Sequence, residues 1–154
     1  MTANSTQISG DHYKTKGAQH WDMVEQNHMG YLEGCATKYI IRWQRKDGLR
    51  DLEKAEHYVF KILEEYNVNG RDNPAIPSTE LEFQWGKFCA DTEVFYPENQ
   101  ICMNLMNWKN EIDLIKVLCL INKLIGAVTL KRSADKTATA KSEVKLPKKA
   151  KGKK

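Results

Sequence analysis

Residues 30–66 read GYLEGCATKYIIRWQRKDGLRDLEKAEHYVFKILEEY, and this stretch decides the fold. Gly34, Lys38, Arg42 and Lys46 (or Arg45) recur every three to four residues, so a helix through them carries one glycine and several cations on a single stripe. Tyr39, Ile40, Ile41 and Trp43 supply apolar surface to bury on the other side. Asp47-Gly48 stops this helix, because glycine takes the left-handed conformations that end helices at little cost. A second helix follows, with Leu52, Ala55, Val59, Ile62, Leu63 and Tyr66 at core spacing and Asp51, Lys54 and Tyr58 on its flank. Helices joined by so short a turn run antiparallel. The reading is an all-α fold: a small helical domain built on the antiparallel hairpin Tyr31–Lys46 and Asp51–Tyr66. Lys38, Arg42 and Lys46 then face Asp51, Lys54 and Tyr58 across it.

Working outward, residues 1–10 are polar and read as disordered, and the domain spans 11–66. His12 and Tyr13 fall in a loop before a short helix from Trp21 to Gln26. In that helix Trp21 reads as a core anchor and Asp22 as an N-terminal cap or first-turn acid. His20 and His28 lack metal-ligand spacing, and His57 reads as exposed. Residues 67–78 are dense in Asn, Gly and Pro and form a linker. Residues 79–130 read as a helical extension. Thr79-Glu80-Leu81-Glu82 has capping-box spacing and opens a helix towards Ala90. After the break at Tyr96-Pro97, one further helix runs from Ile101 or Trp108 to Ile125. Its apolar face (Ile112, Ile115, Leu118, Cys119, Ile121, Leu124, Ile125) is broad enough to require the hairpin or a second copy of the chain as cover.

Of the 154 residues, 41% are hydrophobic and 29% charged, the balance of a soluble globular protein. No apolar run is long enough to span a bilayer, and the first residues lack the pattern of a secretory signal. A membrane partner is therefore not expected. Cys35, Cys89, Cys102 and Cys119 are scattered without a C-x-x-C pair, which argues against a disulfide framework or zinc site and for buried, reduced thiols. Charge is unevenly distributed. Residues 131–154 hold ten Lys and Arg against Asp135 and Glu143, a net of +8, whereas the whole chain is +4 and residues 1–130 are −4. A stretch of Lys, Ala, Ser and Thr buries too little to offset its ordering entropy, so residues 131–154 read as a disordered tail. The tail either makes salt-sensitive, non-specific contacts with nucleic acid or only keeps the chain soluble.

Lys38, Arg42 and Lys46, with Lys54 as a fourth cation, are a candidate phosphate cradle. Gly34 would admit close approach to the helix, Asp51 would orient an acceptor or Mg²⁺, and Tyr58 would bond or stack on a nucleoside. His12 and Tyr13 are suited to the same contacts. The competing reading is that pairs such as Arg42–Asp51 only pin two helices together. No G-x-x-x-x-G-K-[ST] or G-x-G-x-x-G loop is present, so any phosphate chemistry lies outside the P-loop architecture. Glu53 and Glu56 form an E-x-x-E pair of the kind that holds Mg²⁺ in all-helical nucleotide pyrophosphohydrolases, but no second acidic helix matches it.

Four motifs in order, D-H-Y-K (Asp11–Lys14), Q-H-W-D (Gln19–Asp22), G-x-x-x-K-Y-x-x-R (Gly34–Arg42) and D-L-x-K-A-x-x-Y (Asp51–Tyr58), resemble a small bacteriophage domain of unknown function. In short-tailed phages that domain is described as a nucleotide kinase acting on deoxynucleoside monophosphates. The resemblance covers Gly10 to Tyr66. It implies phosphoryl transfer from a nucleoside triphosphate donor, with Mg²⁺ as an optional helper, in the cytoplasm of an infected host. It would give Asp51, Arg42 and Lys38 the catalytic roles, with His12, Tyr13, Gly34, Lys46, Lys54 and Tyr58 as substrate contacts. Two other functions stay open: a non-catalytic module binding a nucleotide or a host factor, and a metal-dependent pyrophosphohydrolase. Self-association into a homo-oligomer is compatible with each.

Overall fold

Gly48 turns the chain with φ of 59° and ψ of −128°, a backbone that side-chain-bearing residues rarely adopt. It separates the two helices at the centre of this computed structural model, which describes residues 17–75 and 81–143. Helix α1 is His20–Gln26, α2 is Tyr31–Arg42 with a 3₁₀ turn over Trp43–Arg45, and α3 is Leu49–Asn69. Helices α4 (Leu81–Thr92), α5 (Glu98–Asn107) and α6 (Glu111–Glu143) follow. Among the described residues there is no strand, and the all-α expectation stands.

The α2–α3 hairpin is the hub. α6 lies along α3, α5 packs on both α2 and α6, and α1 covers the start of α2. Ile40, Leu52, Ala55, Val59 and Ile62 of the hairpin are fully buried against Ile101, Leu105, Leu114, Val117 and Ile121. These are the hairpin core positions set by helical period, and burying such side chains contributes about 1.5–3 kcal/mol each. Among the described residues no helix is long and apolar enough to cross a membrane.

Several local expectations are corrected. Trp21 is 48% exposed, because Met23 takes the core face of α1 and Trp21 lies about 200° around the helix from it. Cys119, Ile112 and Ile115 are exposed: Leu114, Val117, Leu118 and Ile121 fill the buried stripe of α6. Of the two starts expected for the helix ending at Ile125, the later is the nearer: α5 ends at Asn107, and α6 runs from Glu111 past Ile125 to Glu143. Asn110 caps α6 by accepting the Asp113 amide at 3.1 Å, while Asp113 accepts the Lys109 amide at 3.1 Å.

Residues 67–69 of the expected 67–78 linker belong to α3, and the described residues that follow are tied to the body of the fold. Gly70, with φ of 62°, ends α3, and Asn73 donates to the Met106 and Trp108 carbonyls at 2.9 and 3.0 Å. Nor does helical structure end where the composition changes. α6 continues across Lys131 to Glu143, so the first part of the Lys-rich stretch is helical, not disordered. Alanine and lysine favour helix, and neither proline nor glycine interrupts the run before Pro147. The Thr79–Glu80 half of the capping box and residues 144–154 lie outside the described residues.

Candidate functional site: an aromatic and cationic face on the hairpin

The short turn at Gly48 brings the end of α2 against the start of α3, and there Arg42 meets Asp51. Nε of Arg42 donates to Oδ2 and Nη2 to Oδ1, both at 3.1 Å, with Arg42 7% and Asp51 0% exposed. Lys54, one turn along α3, places Nζ 3.1 Å from Asp51 Oδ1 and 3.1 Å from Asp47 Oδ2. Burial pushes the Asp51 carboxyl up, but the hydrogen bonds from Arg42 and Lys54 outweigh it and hold the group below the usual aspartate range. Its bonds to Asp47 and Asp51 raise the Lys54 ammonium in turn. Asp51 is therefore a fixed carboxylate whose oxygens hold two cations in place.

Those cations border a ring. Arg42 Cζ lies 4.7 Å from the Tyr39 centroid, Lys38 Nζ 4.9 Å and Lys54 Nζ 5.2 Å, all within cation–π range. Tyr39 stacks on Tyr58 with centroids 5.8 Å apart and planes 24° from parallel. Tyr58 meets the 76% exposed ring of Tyr31 edge-on at 6.5 Å. The hydrogen bond with Cys35, then burial, then Tyr31 push the Tyr58 phenol above its ordinary value, so it stays protonated at neutral pH. Arg50, Glu53, Lys54, His57 and Tyr58 line an adjacent open groove of about 350 Å³.

Lys38, Arg42, Asp51, Lys54 and Tyr58 thus come together. Gly34 does not join them: it is buried against α1, where an added Cβ would lie 3.4 Å from Val24 Cγ1, so its role is helix packing. Lys46 is exposed at the hairpin turn, and Asp47 pairs with Lys54 instead. His12 and Tyr13 lie outside the described residues. Glu53 is exposed and Glu56 half-buried. Among the described residues no three His, Cys, Asp or Glu side chains group where they could hold one metal ion.

All four motifs fall in one segment whose helices carry this face. Residues 8–60 match the model of a protein family described as of unknown function, DUF3310. No curated protein and no solved structure matches the chain. The matched segment contains α1, α2 and most of α3, and the covering helices α5 and α6 lie beyond it.

Three features of the site's surroundings escaped the sequence reading. Tyr31 reads as a helix-start residue yet extends the aromatic row. Glu33 resembles an ordinary first-turn acid but is completely buried. It accepts from Arg71 Nη2 at 2.7 Å and Trp108 Nε1 at 3.2 Å, locking the start of α2 to partners 38 and 75 residues away. His20 sits beneath the hairpin with Nε2 3.0 Å from Thr37 Oγ1. The Thr37 hydroxyl donates to the Glu33 carbonyl at 2.9 Å, so the His20 Nε2–H must be the donor to Thr37. Burial, then the charge of Lys38, lower the His20 pKa to about 4. No short-range pattern marks these long-range partners.

Proposed function

We propose that this protein binds a nucleotide on the aromatic and cationic face of the hairpin. The reaction proposed, following the resemblance to the phage domain, is phosphoryl transfer from a nucleoside triphosphate to a deoxynucleoside monophosphate in an infected host's cytoplasm. The observation that carries the binding reading is the convergence of Lys38, Arg42 and Lys54 around Tyr39, itself stacked on Tyr58. A nucleotide is a flat base joined to anionic phosphates, and this face offers rings for the first and ammonium groups for the second. Lys38 and Lys54 would neutralise charge on the phosphate oxygens. Asp51 would act by holding Arg42 and Lys54, as a positioning residue. Mg²⁺, if used, would enter on the triphosphate and supply charge neutralisation there.

A second reading, a nucleotide-binding module without catalysis, draws on the complete burial of Asp51 and its engagement by Arg42 and Lys54. An acceptor hydroxyl would need one of those bonds to open. The pyrophosphohydrolase reading finds no acidic cluster among the described residues to support it. Incubation with a triphosphate and a deoxynucleoside monophosphate, followed by product analysis, separates all three. Diphosphates are expected for the kinase. Unchanged nucleotides with measurable binding indicate the module, released pyrophosphate the hydrolase. Absence of both binding and turnover overturns the proposal.

A further inference from the structure

The basic stretch read from the sequence as a free tail is joined to the hairpin turn in the folded chain. Packing of α6 on the core ends with the half-buried Leu124, Ile125 and Val128, and every residue from Thr129 to Thr139 is exposed. Thr129–Glu143 therefore projects as about 20 Å of helix at 1.5 Å per residue. It starts beside the turn: a Cβ added at Gly48 would lie 2.5 Å from Arg132 Nη2. Arg132 thus lies against the residue midway between Lys46 and Arg50, both exposed, and Lys131 and Lys136 continue the charge along the projecting helix. Of the nearby acids, Asp47 and Asp51 are paired with Lys54 and Arg42, which leaves Asp135 and the exposed Glu53, which lines one groove with Arg50.

We propose that the hairpin turn and the projecting part of α6 form one interface for the sugar–phosphate backbone of nucleic acid, using Lys46, Arg50, Lys131, Arg132 and Lys136. Charge complementarity selects this partner. A duplex carries one negative charge per ~1.7 Å of axis, so about twelve phosphates pass along 20 Å of helix. The competing partners need features this segment lacks. An amphipathic membrane helix requires an apolar face, and a helix docking into a protein groove requires apolar anchors at i, i+3 and i+4. From 129 to 139 the exposed side chains are Thr, Lys, Arg, Ser, Ala, Asp and a single large apolar residue, Leu130, which alone makes neither a face nor a spaced set of anchors. Without an aromatic side chain in that stretch, the contact reads phosphates and not bases, and is independent of sequence.

The test is fluorescence anisotropy of the full chain with two unrelated duplexes of about 20 base pairs across a salt series. Both duplexes should bind with closely similar affinity, and log K should fall linearly with log salt. Each lost phosphate contact reduces the slope by about 0.9. Lys46→Gln/Arg50→Gln/Arg132→Gln should therefore lower it by nearly 3, and Lys131→Gln/Lys136→Gln by nearly 2, with helicity unchanged by circular dichroism. The second set involves only positions clear of the core, so it remains informative if the first perturbs the turn. A slope unchanged in both variants, with all loss confined to Lys148→Gln/Lys149→Gln/Lys151→Gln/Lys153→Gln, would overturn the composite interface. So would absence of duplex binding at low salt, or preferential capture by vesicles of anionic lipid.

Discussion

Arg42 and Asp51 are joined by two hydrogen bonds of 3.1 Å, and water reaches almost none of either side chain. The pair links the end of α2 to the first turn of α3, and the fork of a guanidinium matches the two oxygens in a way an ammonium does not. Removing one member of such a pair costs about 3–5 kcal/mol, because the other charge is left buried and uncompensated. Asp51→Ala is expected to lower the melting temperature sharply. Arg42→Lys, which keeps the charge but loses one bond, should cost about 1–3 kcal/mol. Nucleotide affinity per folded molecule should survive Arg42→Lys if the guanidinium is a structural partner. A drop of tenfold or more at unchanged stability would make Arg42 a phosphate ligand. Thermal melting and nucleotide titration on one preparation distinguish the two.

The aromatic face makes a separate prediction. Base–aromatic stacking contributes about 1–3 kcal/mol per base. Tyr39→Ala should weaken nucleotide binding by about tenfold or more, whereas Tyr58→Phe keeps the stack and should bind nearly as well as the parent. Equal affinity in all three proteins, measured by calorimetric titration, would remove the rings from the site.

Stability should fall in acid in two steps. His20 is held neutral in the fold, with its pKa lowered to about 4 from 6.5. The unfolded chain therefore takes up the proton first, and stability present above pH 6.5 is lost as pH falls towards 4. At 1.36 kcal/mol per unit the loss is at most roughly 3 kcal/mol. Asp51 is depressed below its ordinary 3.8, so its contribution is present above that value and is lost only at lower pH. His20→Gln should flatten the stability curve between pH 6.5 and 4 while leaving the lower step, as read by chemical denaturation at each pH.

Glu33 and Arg71 should respond unequally. Glu33 is completely buried, whereas the Arg71 side chain is 21% exposed. Arg71→Ala strands a carboxylate and should cost about 3–5 kcal/mol. Glu33→Gln keeps the shape and the acceptor for Trp108 and should cost about 1–2 kcal/mol, because the Arg71 side chain is already partly exposed. Denaturant midpoints test the order, and a larger loss for Glu33→Gln would contradict it.

What the sequence determined by itself was set by short-range physics. Helical period assigned α2 and α3 and the core positions Ile40, Leu52, Ala55, Val59 and Ile62. The Asp47-Gly48 turn made the two helices antiparallel, and that alone brought Arg42 to Asp51, nine residues away. Asp22, three residues into its helix, accepts the Gln19 amide at 2.7 Å as a first-turn acid should. What only the tertiary structure decided depends on segments distant in the chain. Trp21 and Met23 both suit a core, and the surface that α1 packs against chose Met23. Gly34 shares a stripe with the cations on a helical wheel, yet faces Val24 because α1 covers that end of α2. Glu33 became a buried charge only when Arg71 and Trp108 arrived. Arg132 reached Gly48 because α6 runs along α3, and composition holds no record of which helices lie side by side.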